Sequence, residues 1–353
     1  MSFSYYIKYQ HGEYKPPVVY SGPRAKRKFI DMLRKEAVEM GEIYKVIKEI
    51  NVTEEDENHF RSTNICHICE KEIVEEEIIG EDEEEIVTIT ETKVRDHDHL
   101  TGKYRDPAHI YCNLKYKLPN FIPISMHNLS GYDAHLFIRS LGKYEENIEV
   151  IPCTEEKYIS FSQAVPVSTE GDKTTKIKLR FLDSFRFMPS SLDALSKNLK
   201  REQFSAVSKF ILDEKLDLLI RKGVYPYDYT NSWDKCIETS LPPKEAFYSE
   251  LNECDISDED YKHAQNVWGQ FDIRSMGEYS DPYVKSDVLI LADVFEKFRD
   301  VCLKAYKLHP AWYFTTPGLS WDAMLKLTKV RLEQLVDYDM ILMLEKGVRC
   351  GVS

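Results

Sequence analysis

Residues 121–141 read FIPISMHNLSGYDAHLFIRSL. Phe121, Ile122, Ile124 and Met126 form a β-prone apolar run that stops at Asn128-Leu129-Ser130-Gly131, and apolar positions resume at Leu136, Phe137, Ile138 and Leu141. This order predicts strand, tight turn and helix. The turn sets Asn128 and Asp133 at the mouth of a strand-to-helix junction, where side chains reach a cleft and backbone N–H groups face an anion. An aspartate in that place can hold a metal.

With 353 residues the chain is long enough for a large core and about two domains. No run approaches the roughly 20 apolar residues of a membrane span, and MSFSYYIKYQHGEYKPP lacks the basic start and apolar core of a secretory signal. The expected setting is intracellular, nucleus or cytoplasm, neither secreted nor in a membrane. The net charge of −13 is local: Glu54–Glu91 holds 15 of the 60 acidic residues and, as bases, only Arg61 and Lys71, leaving 45 acids and 45 bases elsewhere. The acidity therefore does not exclude a nucleic-acid partner, and the acidic segment itself reads as an exposed, partly disordered loop.

In chain order, Phe3, Tyr5, Ile7 and Tyr9 alternate as a strand whose abrupt start suggests a missing neighbour, and Pro16-Pro17 reads as a turn. Pro23–Ile50 carries Phe29, Leu33, Ala37, Met40, Ile43 and Ile47 at helical spacing, a structural amphipathic helix. After residue 141 come strands at 148–151, 158–161 and 177–182, then a helix capped by Ser190 or Ser191 and running to Leu199. Gly223–Tyr229 reads as a rigid aromatic turn packed on the core, and Ser257-x-x-Asp260 opens a further helix with a capping box.

Three of the eight cysteines are close in sequence. Cys66-x-x-Cys69 and His109-x-x-Cys112 are two knuckles that together offer four soft or borderline ligands to one tetrahedral ion, and zinc is the natural occupant. A module of about 50 residues buries little core, so metal binding, worth roughly 10–16 kcal/mol in small sites, would supply its folding energy. The other five cysteines read as reduced thiols or core filler.

Cys66-x-x-Cys69, Asp96-His97-Asp98-His99, Thr101-Gly102-Lys103, Arg105 and Cys112-Asn113 resemble the recombination endonuclease VII family of His-Me finger nucleases. That resemblance implies His97 as general base, Asp96 and Asn113 as magnesium ligands and His99 as a phosphate contact. Asp106 replaces the family's glycine, and His109 one of its cysteines.

A second anchor lies at Tyr283-Val284-Lys285-Ser286-Asp287. Val284, Val288, Leu291, Phe295, Phe298 and Cys302 keep a helical apolar stripe, which puts Tyr283 and Asp287 together on a neighbouring face near the helix start. Asn128-x-x-x-Tyr132-Asp133 and Tyr283-x-x-x-Asp287 resemble the second and third exonuclease motifs of family B DNA polymerases. EEKYISFS, LRFLDSFRFMPSSLDALSKNL, RKGVYPYDY, ETSLPPKEAFYSELN and Pro310-Ala311-Trp312-Tyr313 extend the likeness to the protein-primed type B enzymes of Maverick/Polinton-like mobile elements.

The resemblance implies an RNase H-like exonuclease fold, a mixed sheet flanked by helices (α/β, α+β), with a small inserted zinc-knuckle module. It implies a 3′–5′ proofreading site in which two Mg²⁺ or Mn²⁺ ions are held by four carboxylates, Asp133 and Asp287 among them. Tyr283 would orient the attacking water, while Asn128 and Ser184 contact single-stranded DNA near its 3′ end. The other two carboxylates belong to a D-x-E pair on an early strand, which no apolar strand before residue 121 supplies; Asp82-Glu83-Glu84 sits in the acidic loop. Arg349-Cys350-Gly351 resembles the link to a polymerase palm. The expected organisation is an N-terminal strand and helix (1–60), the zinc module (61–118), an exonuclease-like core (119–308) and a helical link (309–353). The expected function is the N-terminal portion of a DNA-directed DNA polymerase cut short at both ends, inactive as a polymerase by itself and possessing a partial exonuclease site. A terminal protein is a second candidate partner. The competing functions are a zinc-dependent His-Me finger endonuclease and a catalytically dead DNA-binding remnant.

Overall fold

The computed structural model describes residues 2–9, 12–74, 92–116, 120–154, 157–171, 173–251 and 253–347. Residues 75–91, with Asp82-Glu83-Glu84, and residues 348–353, with Arg349-Cys350-Gly351, lie outside them. The strands are β1 Ser2–Lys8, β2 Tyr14–Ser21, β3 Lys93–His97, β4 Tyr104–His109, β5 Phe121–Met126, β6 Ile148–Pro152, β7 Tyr158–Glu170 and β8 Lys173–Asp183. The helices are α1 Ala25–Lys45, α2 Glu54–Ser62, α3 Ile110–Lys115, α4 Ala134–Leu141, α5 Leu192–Ser196, α6 Ser205–Phe210, α7 Asp213–Leu219, α8 Trp233–Cys236, α9 Asp258–Gln270, α10 Met276–Tyr306, α11 Thr316–Thr328 and α12 Tyr338–Gly347. No helix among them is long and apolar enough to cross a membrane.

The architecture is mixed α/β. One four-stranded sheet runs β5-β8-β7-β6, with β5 parallel to β8 and the other pairs antiparallel. The hairpins β1-β2 and β3-β4 form two separate sheets. Helix α1 lies over the larger sheet, packing Phe29, Ile30, Leu33 and Ala37 with Phe137, Phe161 and Phe181. Burying a phenylalanine, isoleucine or leucine side chain in this way contributes about 1.5–3 kcal/mol. Arg34 fastens the layer, donating to Glu146 at 3.1 Å and to Gln163 Oε1 at 3.2 Å. Helix α10 packs through Leu289, Ile290 and Val294 against Phe204, Val207 and Leu216. Strand β1 straddles the two cores by its period of two: Phe3 and Tyr5 join the first, Tyr6 the second.

Several local expectations are corrected. Pro16 and Pro17 lie inside β2, not in a turn. Among the described residues strand β2 pairs only with β1, and an edge tolerates residues with no N–H to donate. Helix α1 stops at Lys45, before Ile47, and α5 stops at Ser196. Part of the acidic segment is helical: Thr53 and Asp56 form a reciprocal cap that starts α2. Ser191 and Ser257 do cap α5 and α9.

Candidate active site and metal centre

Beyond Met126 the chain passes through His127 and Asn128 into a π-helical turn, Leu129–Asp133, before α4. Such turns widen the backbone and recur at functional sites. Asn128 takes the left-handed φ of 62°, which asparagine tolerates better than most residues. Gly131 is needed beside it, because a Cβ there would stand 2.4 Å from Asn128 Oδ1. The end of β8 pins the turn: Ser130 N–H donates to Asp183 Oδ2 at 3.0 Å, and Phe185 N–H to Asp183 Oδ1 at 3.1 Å. Ser184 is fully buried, bonded to the Met126 carbonyl at 3.0 Å and to His127 Nδ1 at 2.9 Å.

Tyr283 and Asp287 share a face of α10, but about two and three turns in rather than near its start. The helix begins earlier because Ser275 caps it, accepting from Glu278 N–H. Gly223 makes room for the Tyr283 ring, since a Cβ would lie 2.5 Å from Tyr283 Cδ2. The Tyr283 hydroxyl meets that of Tyr227, and its ring packs on Tyr225. The stripe Val284, Val288, Leu291 and Phe295 is only half-buried and lines a cavity. Leu289, Ile290 and Val294 carry the core contact instead, because α10 has packing on more than one side.

Asn128, Asp133, Tyr283 and Asp287, from two distant parts of the chain, all line this cavity of about 1550 Å³. Burial, then repulsion from Asp183, pushes the Asp133 carboxyl up to about 6. Burial pushes Asp287 up to about 6 as well, against the opposing pull of Lys222 and a Tyr283 hydrogen bond. Burial and the Asp287 charge push the Tyr283 phenol well up, so it stays a protonated donor. Asp287 Oδ1 is buried with no hydrogen-bond partner. Two costly carboxylates facing one cavity are matched to a cation. The sequence reading missed Asp183 and Lys222; Lys222 sits beside Gly223 in the aromatic turn, where only tertiary contact reveals it.

In the zinc module, Cys66, Cys69, His109 and Cys112 bring their ligand atoms within 4.8 Å of one another, and no other group among the described residues does so. Cys69 Sγ lies 3.4 Å and Cys112 Sγ 3.7 Å from His109 Nδ1. Tetrahedral zinc, with ligand bonds of about 2.0–2.3 Å, asks for edges close to these. His109 Nε2 donates to the Glu72 carbonyl at 3.2 Å, which turns Nδ1 toward the thiols as the nitrogen that can ligate a metal. Although burial opposes it, backbone N–H groups of Cys69, His109 and Ile68 hold the Cys66 thiol down at about 6. The cluster can bind zinc.

The predicted nuclease set sits beside that cluster. Asp96 is buried and already engaged, by His67 Nε2 at 2.9 Å and Arg105 Nη1 at 3.3 Å. Burial works against its ionisation, but the His67 and Arg105 contacts hold its carboxyl below the usual range. His97 and His99 have ring centroids 4.8 Å apart, and Asn113 follows Cys112 on α3.

Residues 112–349 match the family described as DNA polymerase type B, organellar and viral. No curated protein and no solved structure matches the chain. The matched span takes in both arms of the cavity, Asn128–Asp133 and Tyr283–Asp287, and leaves most of the zinc module outside it. DNA is the partner that this membership implies. The chain belongs to the organellar and viral type B DNA polymerases.

Proposed function

We propose that this chain is the 3′–5′ exonuclease portion of its polymerase, with an RNase H-like core, and that the cavity receives the 3′ end of a DNA strand. The observation that carries this is the convergence of Asp133, Asp287 and Tyr283 on one cavity. Asp133 and Asp287 would hold divalent metal, Mg²⁺ or Mn²⁺, which when bound activates water and neutralises the phosphate. Their raised proton affinities mean that metal must displace protons below about pH 6. Tyr283, protonated and fixed by Tyr227 and Gly223, donates from one side and orients the nucleophile. Lys222 supplies a cation near Asp287 for the scissile phosphate. Asn128 borders the same cavity beside the strand.

The two-ion scheme uses four carboxylates; besides Asp133 and Asp287 the cavity is lined by Glu36, Asp98 and Glu296, each of which is already paired with a lysine or arginine. Shortening of a 3′-labelled strand by this chain is therefore expected to stay near background. Mn²⁺-dependent binding of that strand should be clear, and Asp133→Ala should remove it. Binding indifferent to both Mn²⁺ and Asp133→Ala would overturn the proposal. For the zinc module, the engagement of Asp96 by His67 and Arg105 favours a zinc-held DNA contact over a working endonuclease. Cleavage of branched or duplex DNA that vanishes in His97→Ala would reverse that assignment.

A further inference from the structure

We propose that a separate basic pocket holds a backbone phosphate of single-stranded DNA, with the neighbouring base laid on Trp233. The pocket measures about 560 Å³, within the range of roughly 300–1,000 Å³ typical of ligand sites. Three parts of the chain build it. The start of α1 gives Arg24, Lys26 and Arg27, the end of α4 and the turn after it give Ser140 and Lys143, and α8 gives Trp233. None of its lining comes from β1, β5 or the carboxylates of the exonuclease cavity.

The charge of the pocket is one-sided. Among the described residues no carboxylate lines it. Arg24, Lys26 and Lys143 make no ion pair among those residues, and Arg27 reaches only Asp31, at 3.9 Å across exposed surface. Cations are favoured at the C-terminal end of a helix, where the peptide dipole is negative. Here three stand at the positive end of a 21-residue helix whose first turn holds no acid and receives no side-chain cap. Ser140 points to a ligand independently. It is 8% exposed and lines the pocket, yet its hydroxyl makes no hydrogen bond among the described residues. Buried polar groups are nearly always paired in a completed structure, and a serine hydroxyl can donate to a phosphate oxygen.

Trp233 identifies the second half of the occupant. Its indole is 50% exposed, but the segment that carries it is anchored to α10. Met276 N–H donates to the Glu238 carbonyl at 2.9 Å, and Gly277 lets the Cys236 carbonyl approach where a Cβ would stand 3.1 Å from it. A fixed aromatic face beside cations suits a base next to its own phosphate, and such stacking tolerates any sequence. DNA is the partner that the family implies. The proposal rests on that membership and not on the exonuclease reading.

The test follows the anisotropy of a labelled oligothymidylate, about eight nucleotides long, on the full zinc-loaded chain without Mn²⁺ or Mg²⁺. Arg24→Asn with Lys143→Ala should weaken binding by about tenfold and flatten the slope of log K against log salt by about 0.7, the value for one phosphate contact on a single strand. Asparagine is chosen because it tolerates the φ of 59° at position 24. Trp233→Ala should weaken binding about fivefold or more, and Trp233→Phe much less. Lys28→Ala with Lys35→Ala removes equal charge from exposed positions of α1 outside the pocket and should change little. All the substituted residues are exposed, so the urea midpoints should match the parent's. Equal weakening in the Lys28, Lys35 control, or unaltered binding in either the Arg24, Lys143 variant or Trp233→Ala, would overturn the proposal. Binding of dTMP as tight as that of the oligomer would also overturn it, by assigning the pocket to a free nucleotide. The increment that Mn²⁺ adds reads the exonuclease cavity, so its failure to appear would count against that reading and leave the pocket standing.

Discussion

Replacing Asp287 by asparagine should stabilise the metal-free protein at neutral and alkaline pH. Its carboxyl is raised from 3.8 to about 6 chiefly by burial, and Oδ1 has no hydrogen-bond partner. The native state therefore holds the proton more tightly than the unfolded chain, in which the group titrates near its ordinary value. Below about pH 4 both states are protonated and the site costs nothing. As pH rises through the interval from about 4 to about 6, the unfolded state ionises first and native stability falls. Above that interval the full penalty is present. At about 1.4 kcal/mol per unit, the shift amounts to about 3 kcal/mol. Asp287→Asn keeps the shape and removes the ionisation. Urea unfolding with EDTA should show the variant more stable than the parent by that amount at pH 8, the difference closing toward pH 4. A variant less stable at pH 8, or equally shifted at both pH values, would refute the reasoning. With Mn²⁺ present the order should invert, because only the parent gains binding energy.

Other perturbations test separate parts of the account. His109→Ala or Cys112→Ser should lower zinc content from one per chain to near zero and expose the backbone amides of β3 and β4 to rapid hydrogen exchange, since metal binding is folding energy in a site of this size. Gly223→Ala forces a Cβ within 2.5 Å of the Tyr283 ring and should cost about 1–3 kcal/mol in urea unfolding while weakening Mn²⁺ binding. Leu129→Ala empties a position that is 1% exposed beneath the π-helical turn and should cost about 2–5 kcal/mol.

What could be read in the sequence follows the range of the interactions involved. The four zinc ligands were legible because each knuckle is a short local spacing, and the structure brings the two knuckles together. Asp133 and Asp287 were legible as motif members, although no local rule says that they face one cavity. Lys222 and Asp183 were not legible. A lysine before a glycine reads as loop, and an aspartate at a strand end reads as a cap, which Asp183 in part is. The apolar stripe of α10 misled in an informative way: its period was right, but Val284, Val288 and Leu291 face the cavity. Periodicity finds an apolar face without saying what covers it. Pro16-Pro17 was misread because a proline pair is as acceptable on an edge strand as in a turn, and edge position is a tertiary property.

The most direct measurement of the central claim is a photocrosslink from the last nucleotide of a single strand carrying a 3′-terminal 4-thiothymidine, formed with Mn²⁺ and mapped by mass spectrometry. The account predicts adducts on the residues around the cavity, in the peptides holding Phe185, Tyr227 and Asn128–Asp133, and their loss in the Asp133→Asn, Asp287→Asn double variant. Adducts confined to the zinc module, or unchanged in the double variant, would contradict it.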